Sequence, residues 1–141
     1  MRREYVDLED NNLPGDCLRA CLASVLDLPK ASVPHFLAND ATWYDDMQAW
    51  LRLRGLSCLC LPLGLPMYNR ALWAMLGPSL VIAGVYIAGD ESRRHAVVAQ
   101  AGKVLHDPIP EPFARTETLD HAFDVLVFAS TDPAHTVRHY I

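Results

Sequence analysis

Three residues that are distant in the sequence carry the side chains of a nucleophile, a general base and an orienting acid: Cys17, His95 and Asp107. In such a set the thiolate attacks a carbonyl carbon, the imidazolium protonates the leaving group, and the carboxylate holds the imidazole in one tautomer. Each residue alone has an ordinary structural explanation, because cysteine is commonly buried and aspartate before proline is commonly a turn residue. Together they predict covalent catalysis through a thioester.

The segment around Cys17 predicts the first turn of a helix. Asp16 stands at the expected N-cap position after the Pro14-Gly15 turn, and Pro29 ends the run. Free backbone N–H groups and the helix dipole favour an anion at this end, which is the setting of many nucleophilic thiols. Apolar residues recur behind it at helical spacing, so that Cys21 is expected in the core: Leu18, Cys21, Leu22, Val25 and Leu28.

A tetrahedral oxyanion beside Cys17 would need hydrogen-bond donors. The backbone N–H of Cys17 is one candidate. A side-chain amide from Asn11 or Asn12, which lie six and five residues upstream, is the other. The spacing leaves both asparagines open as oxyanion residues.

His95 and Asp107 are predicted to lie on the two strands of one β-hairpin. Side chains alternate faces along a strand, so a regular two-residue turn would put them on opposite faces of the sheet. A three-residue loop or a bulge shifts the register by one residue and brings both to one face. We therefore predict such an irregularity at residues 101–103, a positive φ at Gly102, and His106 facing the other way.

The remaining elements follow a change of hydrophobic period along the chain. Apolar residues recur at helical spacing in the first half and in an extended pattern in the second. The charged segment 90–94 before His95 is predicted to be a loop. Helices are predicted over residues 17–28, 35–39, 43–54 and 68–76, and strands over 56–61, 80–87, 95–100, 103–107 and 123–129. This order indicates an α+β fold with N-terminal helices packed on an antiparallel β-sheet.

Composition limits the class of protein. The chain has 141 residues, 51% hydrophobic and 21% charged, which is ordinary for a globular protein, so residues 1–141 are expected to form a single domain. The net charge is −5, from 12 Lys and Arg against 17 Asp and Glu, with no basic stripe. Nucleic acid is therefore not the expected partner.

Export and membrane insertion are not expected either. Acidic residues interrupt what would be the apolar region of a signal peptide, and the longest uncharged apolar stretch is broken by Gly77-Pro78. The four cysteines are then expected to be reduced thiols. We expect a cytoplasmic protein that binds no membrane and needs no metal or other cofactor.

The segment 15–23, Gly-Asp-Cys-Leu-Arg-Ala-Cys-Leu-Ala, resembles the nucleophile segment of the double-glycine leader peptidases, the peptidase domains of bacteriocin exporters. Residues 95–98, His-Ala-Val-Val, look like their histidine strand, and Asp107-Pro108 looks like their Asp-Pro. A closer likeness is to small stand-alone phage and bacterial proteins that are predicted members of the papain-like superfamily. They share the Val-Pro-His-Phe segment at 33–36 and Trp50-Leu51.

This resemblance implies a papain-like fold and a cysteine peptidase or amidase. Its substrate would be a peptide, an isopeptide or another amide, protein substrates included. Two positions depart from the leader peptidases. Their oxyanion residue is a Gln six residues before the Cys, where this chain has the shorter Asn11, and Leu18 replaces the Gly after their nucleophile. The oxyanion hole is therefore expected to be rearranged and the cleft narrower.

Other functions fit parts of the sequence. A zinc module would use Cys17, Cys21, Cys58 and Cys60, but Cys-x-Cys on a strand and cysteines four apart on a helix are not usual zinc spacings. A non-catalytic binding module, such as a phage inhibitor or an immunity protein, would keep the fold without using the thiol. Acyl transfer would use the same thioester with a different acceptor.

A few further side chains have weaker cases. Arg93-Arg94 is expected on a solvated loop, with binding of an anionic substrate group as the alternative. His35 is expected to have a surface or capping role. The tryptophans are expected in the core rather than as substrate platforms: Trp43, Trp50 and Trp73.

Overall fold

The computed structural model describes residues 1–6, 16–63, 70–87, 90–111, 114, 116 and 118–131. Within them the α-helices are α1 (Asp16–Leu26), α2 (Trp43–Arg52) and α3 (Arg70–Leu76), and 3₁₀ turns lie at Lys30–Ser32 and Phe36–Ala38. The strands are β1 (Leu56–Pro62), β2 (Val81–Ile87), β3 (Asp90–Gln100), β4 (Lys103–His106) and β5 (Ala122–Ser130).

The five strands form one sheet in the order β1-β5-β2-β3-β4, and every neighbouring pair is antiparallel. Helices α1 and α2 precede all of these strands in the sequence. The predicted α+β class, with N-terminal helices and an antiparallel sheet, is confirmed. None of the helices in the described ranges is long and apolar enough to cross a membrane.

Two apolar clusters cover the two faces of the sheet, because successive side chains of a strand point to opposite faces. On one face, residues of α1 and α2 pack with Ile82 and Val98. On the other face, Trp73 of α3 packs with Ala83 and Val97. The sheet is therefore buried between helices, and α1 belongs to the face that carries Val98.

Helix α1 begins close to its predicted start and ends two residues early, at Leu26. The reason for the early end is Asp27, whose φ of 59° lies in the left-handed region that interrupts a helix. Helix α1 packs mainly against β3. Its first turn therefore carries Cys17 to the strand that contains His95.

Strand β3 is longer than the sequence indicated. The charged segment 90–94 was predicted to be a loop, and this prediction is wrong, because Arg94 pairs with Tyr86 of β2 and Asp90 pairs with Ile87. Backbone pairing with a buried neighbour outweighs the low strand propensity of charged residues, whose side chains stay exposed. His95 therefore lies inside an 11-residue strand and not at its start.

The β3–β4 hairpin contains the predicted irregularity at a different position. Its turn is a regular two-residue turn with φ of 53° at Ala101 and 78° at Gly102, so the positive φ at Gly102 is confirmed. The predicted bulge at residues 101–103 is wrong. The register shifts further along, where Ala99 pairs with Val104 but Val98 pairs with His106, so that Leu105 is the extra residue.

Candidate active site

The side chains of His95 and Asp107 meet at the end of the hairpin. The Leu105 bulge puts His106 opposite Val98, and the next residue, Asp107, then falls on the face of His95. The Nε2–H group of His95 donates a hydrogen bond to Oδ1 of Asp107 over 2.7 Å. Both side chains are nearly excluded from water, with exposed fractions of 4% and 6%. The contact predicted between these two residues is confirmed.

His106 points away from this pair, as the alternation along β4 predicts. Its Nε2–H donates to the backbone carbonyl of Glu4 over 2.6 Å, and its ring packs edge-on against Tyr5. The Val6 N–H also donates to the carbonyl of Pro108. The N-terminal residues are therefore attached on both sides of Asp107.

Asp107 is held by backbone donors as well as by His95. Its Oδ1 accepts from the Ile109 N–H at 3.0 Å and its Oδ2 from the Thr116 N–H at 3.1 Å. Burial would raise the pKa of Asp107, but the hydrogen bonds from His95 and from these two amides outweigh it and hold the pKa below its ordinary value. Asp107 is therefore a fixed carboxylate suited to orienting an imidazole.

Cys17 lines the same cavity as His95, and its side chain is close enough to raise the pKa of His95. Because Nε2 is engaged by Asp107, the nitrogen that faces the sulfur is Nδ1. Burial would lower the pKa of His95, but the hydrogen bonds and charges of Asp107 and Cys17 raise it to about 9. His95 is thus hydrogen-bonded to Asp107 and shares the lining of one cavity with Cys17.

Cys17 and Cys21 differ in the way that the helical spacing predicts. Cys17 is the second residue of α1 and is half-buried, so its backbone N–H is one of those that lack a partner within the helix. Cys21, one turn later, is fully buried in the core, and burial raises its pKa well above the ordinary thiol value. Cys21 is therefore a core residue, as predicted.

A cavity of about 480 Å³ opens at Cys17 and His95. It lies between the start of α1, the segment leading into α2, and the sheet face formed by β2, β3 and β5. Its lining combines apolar and charged side chains: Cys17, Leu18, Leu37, Asp40, Trp43, Ile82, Gly84, Ser92, Arg94, His95, Ala96, Phe123, Asp124 and Leu126. A substrate carbonyl can therefore reach the sulfur from a defined cleft.

The sequence analysis missed Asp124 as a cavity residue. Alternation over β5 puts it on the same face as Leu126, which packs toward α1. The available signal was a single carboxylate in the apolar run Phe-Asp-Val-Leu-Val-Phe-Ala at 123–129. Such a residue is usually solvent-exposed, so only the tertiary structure could identify it.

The remaining candidates are distributed as follows. Arg94 and Trp43 line the cavity, so Trp43 is not a purely core residue, whereas Trp73 is 3% exposed in the core under α3. Trp50 is half-buried between Phe36 and Arg54. Asn11 and Asn12, the predicted oxyanion residues, lie outside the described residues.

The cysteines show no sign of a zinc site. All four are free thiols, and Cys58 and Cys60 lie on β1 rather than beside Cys17. In the part of the chain that the structure describes, no group of three or more His, Cys, Asp or Glu side chains is arranged to hold a metal ion. The zinc interpretation therefore has no structural support.

The cavity and the side chains of Cys17, His95 and Asp107 are the features available for chemistry. The chain matches no protein-family model, no curated protein and no solved structure.

Proposed function

We propose that this protein is a cysteine hydrolase of the papain-like class, which cleaves a peptide, isopeptide or other amide bond through a thioester on Cys17. The observation that carries this proposal is the hydrogen bond between Asp107 and His95 at a cavity that His95 lines together with Cys17. A buried imidazole with a raised pKa beside a half-exposed thiol is the arrangement that favours a thiolate–imidazolium pair.

In the acylation step, the Cys17 thiolate attacks the substrate carbonyl carbon and a C–S bond forms. The backbone N–H of Cys17 and a side-chain amide from Asn11 or Asn12 would stabilise the oxyanion. The tetrahedral intermediate then collapses, the C–N bond breaks, and Nδ1 of His95 donates its proton to the departing nitrogen. Asp107 keeps the imidazole ring oriented throughout, because it remains bonded to Nε2.

In the deacylation step, neutral His95 accepts a proton from water through Nδ1, and the resulting hydroxide attacks the thioester carbonyl. The C–S bond breaks, which releases the carboxylic acid product and restores the thiolate–imidazolium pair. If an amine replaces water as the acceptor, the same thioester leads to acyl transfer. The residues required are identical, so transfer is a variant of this proposal.

The cellular setting that we propose is the cytoplasm. All four cysteines are unpaired thiols, which are maintained in a reducing compartment. The resemblance of residues 15–23 to the leader peptidases, and of residues 33–36 to stand-alone phage and bacterial proteins, supports a peptide or protein substrate.

Acylation by p-nitrophenyl acetate tests this proposal directly. We expect a burst of p-nitrophenolate equal to the enzyme concentration, with the acetyl group on Cys17 by peptide mapping. Cys17→Ser should abolish the burst, whereas Cys60→Ser, which removes another half-buried thiol, should retain it. A peptide library digested by the wild type and not by Cys17→Ser would then identify the bond cleaved.

The non-catalytic binding module is the outcome that would contradict the proposal. In that case the wild type gives no burst, and iodoacetamide modifies Cys17 no faster than Cys60. His95→Gln and His121→Gln sharpen the distinction, because His95 contacts Cys17 whereas His121 is exposed. If His95 is catalytic, His95→Gln slows the acylation of Cys17 and His121→Gln does not.

A further inference from the structure

The carboxylate of Asp124 lies on the floor of the cavity that contains Cys17 and His95. Asp124 of β5 pairs with Gly84 of β2, and Gly84 pairs with Ala96 of β3. These three residues form a row across the sheet. The row passes beside His95, so a group bound over Gly84 would adjoin the thiol.

Gly84 provides the space for that carboxylate. A β carbon at position 84 would stand only 2.2 Å from Oδ1 of Asp124 and 2.7 Å from Cζ of Phe123. The register between β2 and β5 shifts at this point, since Val85 pairs with Ala122 while Gly84 pairs with Asp124. Phe123 is thus the extra residue of a bulge, a device that redirects side chains near functional sites. Phe123 and Asp124 together occupy the space over Gly84.

The groups around Asp124 do not offset the cost of its burial. The Gly84 backbone, the Cys60 thiol at 3.9 Å and the charge of Arg94 each act to lower the pKa of Asp124. Burial nevertheless raises the pKa of Asp124 above its ordinary value. Among the described side chains, no cation lies within ion-pair distance of it. A partly buried carboxylate of this kind gains from a positively charged ligand.

The cavity lining carries charges of both signs. Asp40 and Asp124 are negative, whereas Arg94 and His95 are positive, and the charge of His95 is already paired with Asp107. Arg94 is exposed, and its guanidinium stands over the Phe123 ring, 5.4 Å from the centroid. Apolar side chains of the same cavity lining suit an aliphatic stem: Leu18, Ile82 and Leu126.

We propose that Asp124 is a specificity-determining residue, which binds a cationic group of the substrate, the ammonium of a lysine-type or the guanidinium of an arginine-type side chain, close to the bond that Cys17 attacks. The apolar wall contacts the methylene stem and the carboxylate binds the charged end. This inference rests on the proposed function for the identity of the bond, but the cation site itself is defined by the cavity.

Thiol-specific reagents of different charge test the proposal without a known substrate. The probes are trimethylammonioethyl, sulfonatoethyl and methyl methanethiosulfonate, which are cationic, anionic and neutral. Each forms a mixed disulfide with the thiolate and releases methanesulfinate. The rates are followed at Cys17 by peptide mapping, and the cation-to-anion rate ratio is the readout, because any change in the thiol itself cancels from it.

We expect Asp124→Asn to lower this ratio by about tenfold, since a nearby partly buried charge acts on both reagents with opposite sign. The near-isosteric amide keeps the shape of the cavity. Asp45→Asn is the matched control, because Asp45 is an exposed carboxylate that does not line the cavity. Its ratio should stay within about twofold of the wild type, as expected for a screened surface charge. An equal ratio in wild type and Asp124→Asn overturns the proposal.

Failure of the proposed function gives a different result in the same experiment. The neutral reagent would then react with Cys17 no faster than with free glutathione, whatever the ratio shows. If Cys17 is inert, NMR titration of Cys17→Ser with N-acetyl-lysine methylamide decides the matter. Saturable shifts at Gly84 and Ala96 that disappear in Asp124→Asn support the cation site. Equal shifts with the norleucine analogue overturn it.

Discussion

Two aspartates, one just after β4 and one near the start of β5, have opposite environments. Asp107, beyond β4, accepts hydrogen bonds from His95, Ile109 and Thr116, which hold its pKa below the ordinary value although burial opposes them. Asp124, on β5, has fewer donors, and burial raises its pKa. One carboxylate has its hydrogen-bonding partners within the fold, and the other faces the cavity.

The two environments suit two different roles: one carboxylate orients an imidazole, and the other binds a ligand. A carboxylate that is fully bonded inside the protein can fix an imidazole and has no capacity left for a ligand. A carboxylate with incomplete compensation is strained by burial and gains when a ligand supplies the missing charge. The number of donors around each group, rather than its residue type, therefore predicts its role.

The largest effect is expected when Asp107 is removed. Asp107→Ala leaves His95 without its partner and the amides of Ile109 and Thr116 without an acceptor, each a cost of about 1–3 kcal/mol. The free energy of unfolding should fall by about 3–5 kcal/mol in urea titrations. Acylation of Cys17 by p-nitrophenyl acetate should slow by about 10²–10⁴-fold.

The control for this prediction is Asp120→Ala. Asp120 is exposed, and within the described residues its carboxylate accepts one hydrogen bond, from the nearby Thr118 hydroxyl. Its loss should change stability by less than about 0.5 kcal/mol. If both alanine variants behaved alike, Asp107 would have no special role.

The next effect concerns pH and the charge of His95. The pKa of His95 is about 9 in the folded protein, against roughly 6.5 for an unfolded chain. Below about pH 6.5 both states are protonated and the full stabilisation is present; as the pH rises toward 9 the unfolded state loses its proton first and the stabilisation declines. Unfolding free energies measured over this interval should fall by up to about 3 kcal/mol.

His95→Gln should remove this alkaline loss of stability, and His121→Gln, at an exposed position, should keep it. A wild-type profile that is flat over the interval would mean that His95 gains no charge partner in the fold. The opposite sign applies to Asp107, whose lowered pKa contributes stability that is lost as the pH falls into the acid range.

A smaller effect is expected at the floor of the cavity. In Gly84→Ala the new methyl group collides with the Asp124 carboxylate and the Phe123 ring, which should cost about 1–3 kcal/mol of stability. Combining Gly84→Ala with Asp124→Ala should recover part of that loss, because the closest contact is removed. Strictly additive losses in this double-mutant cycle would show that the carboxylate does not lie over Gly84.

The smallest effect concerns Cys60. Burial raises its pKa, and the charge and hydrogen bond of Asp124 raise it further. Asp124→Asn should therefore lower the pKa of Cys60 and speed its labelling by iodoacetamide near pH 8 by about twofold or more. Cys58, whose burial raises its pKa to about 12, serves as the internal control and should stay unlabelled. Unchanged labelling of Cys60 would show that the charge of Asp124 does not act on this thiol.

Much of the secondary structure could be predicted from local patterns. Helical spacing of apolar residues predicted α1 with Cys17 in its first turn, and the β-branched runs predicted β2 and β5. Strand alternation predicted that the register must shift by one residue for His95 and Asp107 to share a face. The position of the bulge could not be predicted, because a bulge at Leu105 and one at residues 101–103 give the same register beyond them.

The sequence by itself determined which side chains are available for chemistry, the helix that begins beside Cys17, and the α+β order of elements, because these depend on residue type and short-range period. The tertiary structure alone decided that segment 90–94 is a strand, that Leu105 and Phe123 are bulged, and that Asp124 faces the cavity. These features depend on pairing between distant strands. Long-range pairing can override local propensity, and the local sequence of the affected residues does not indicate it.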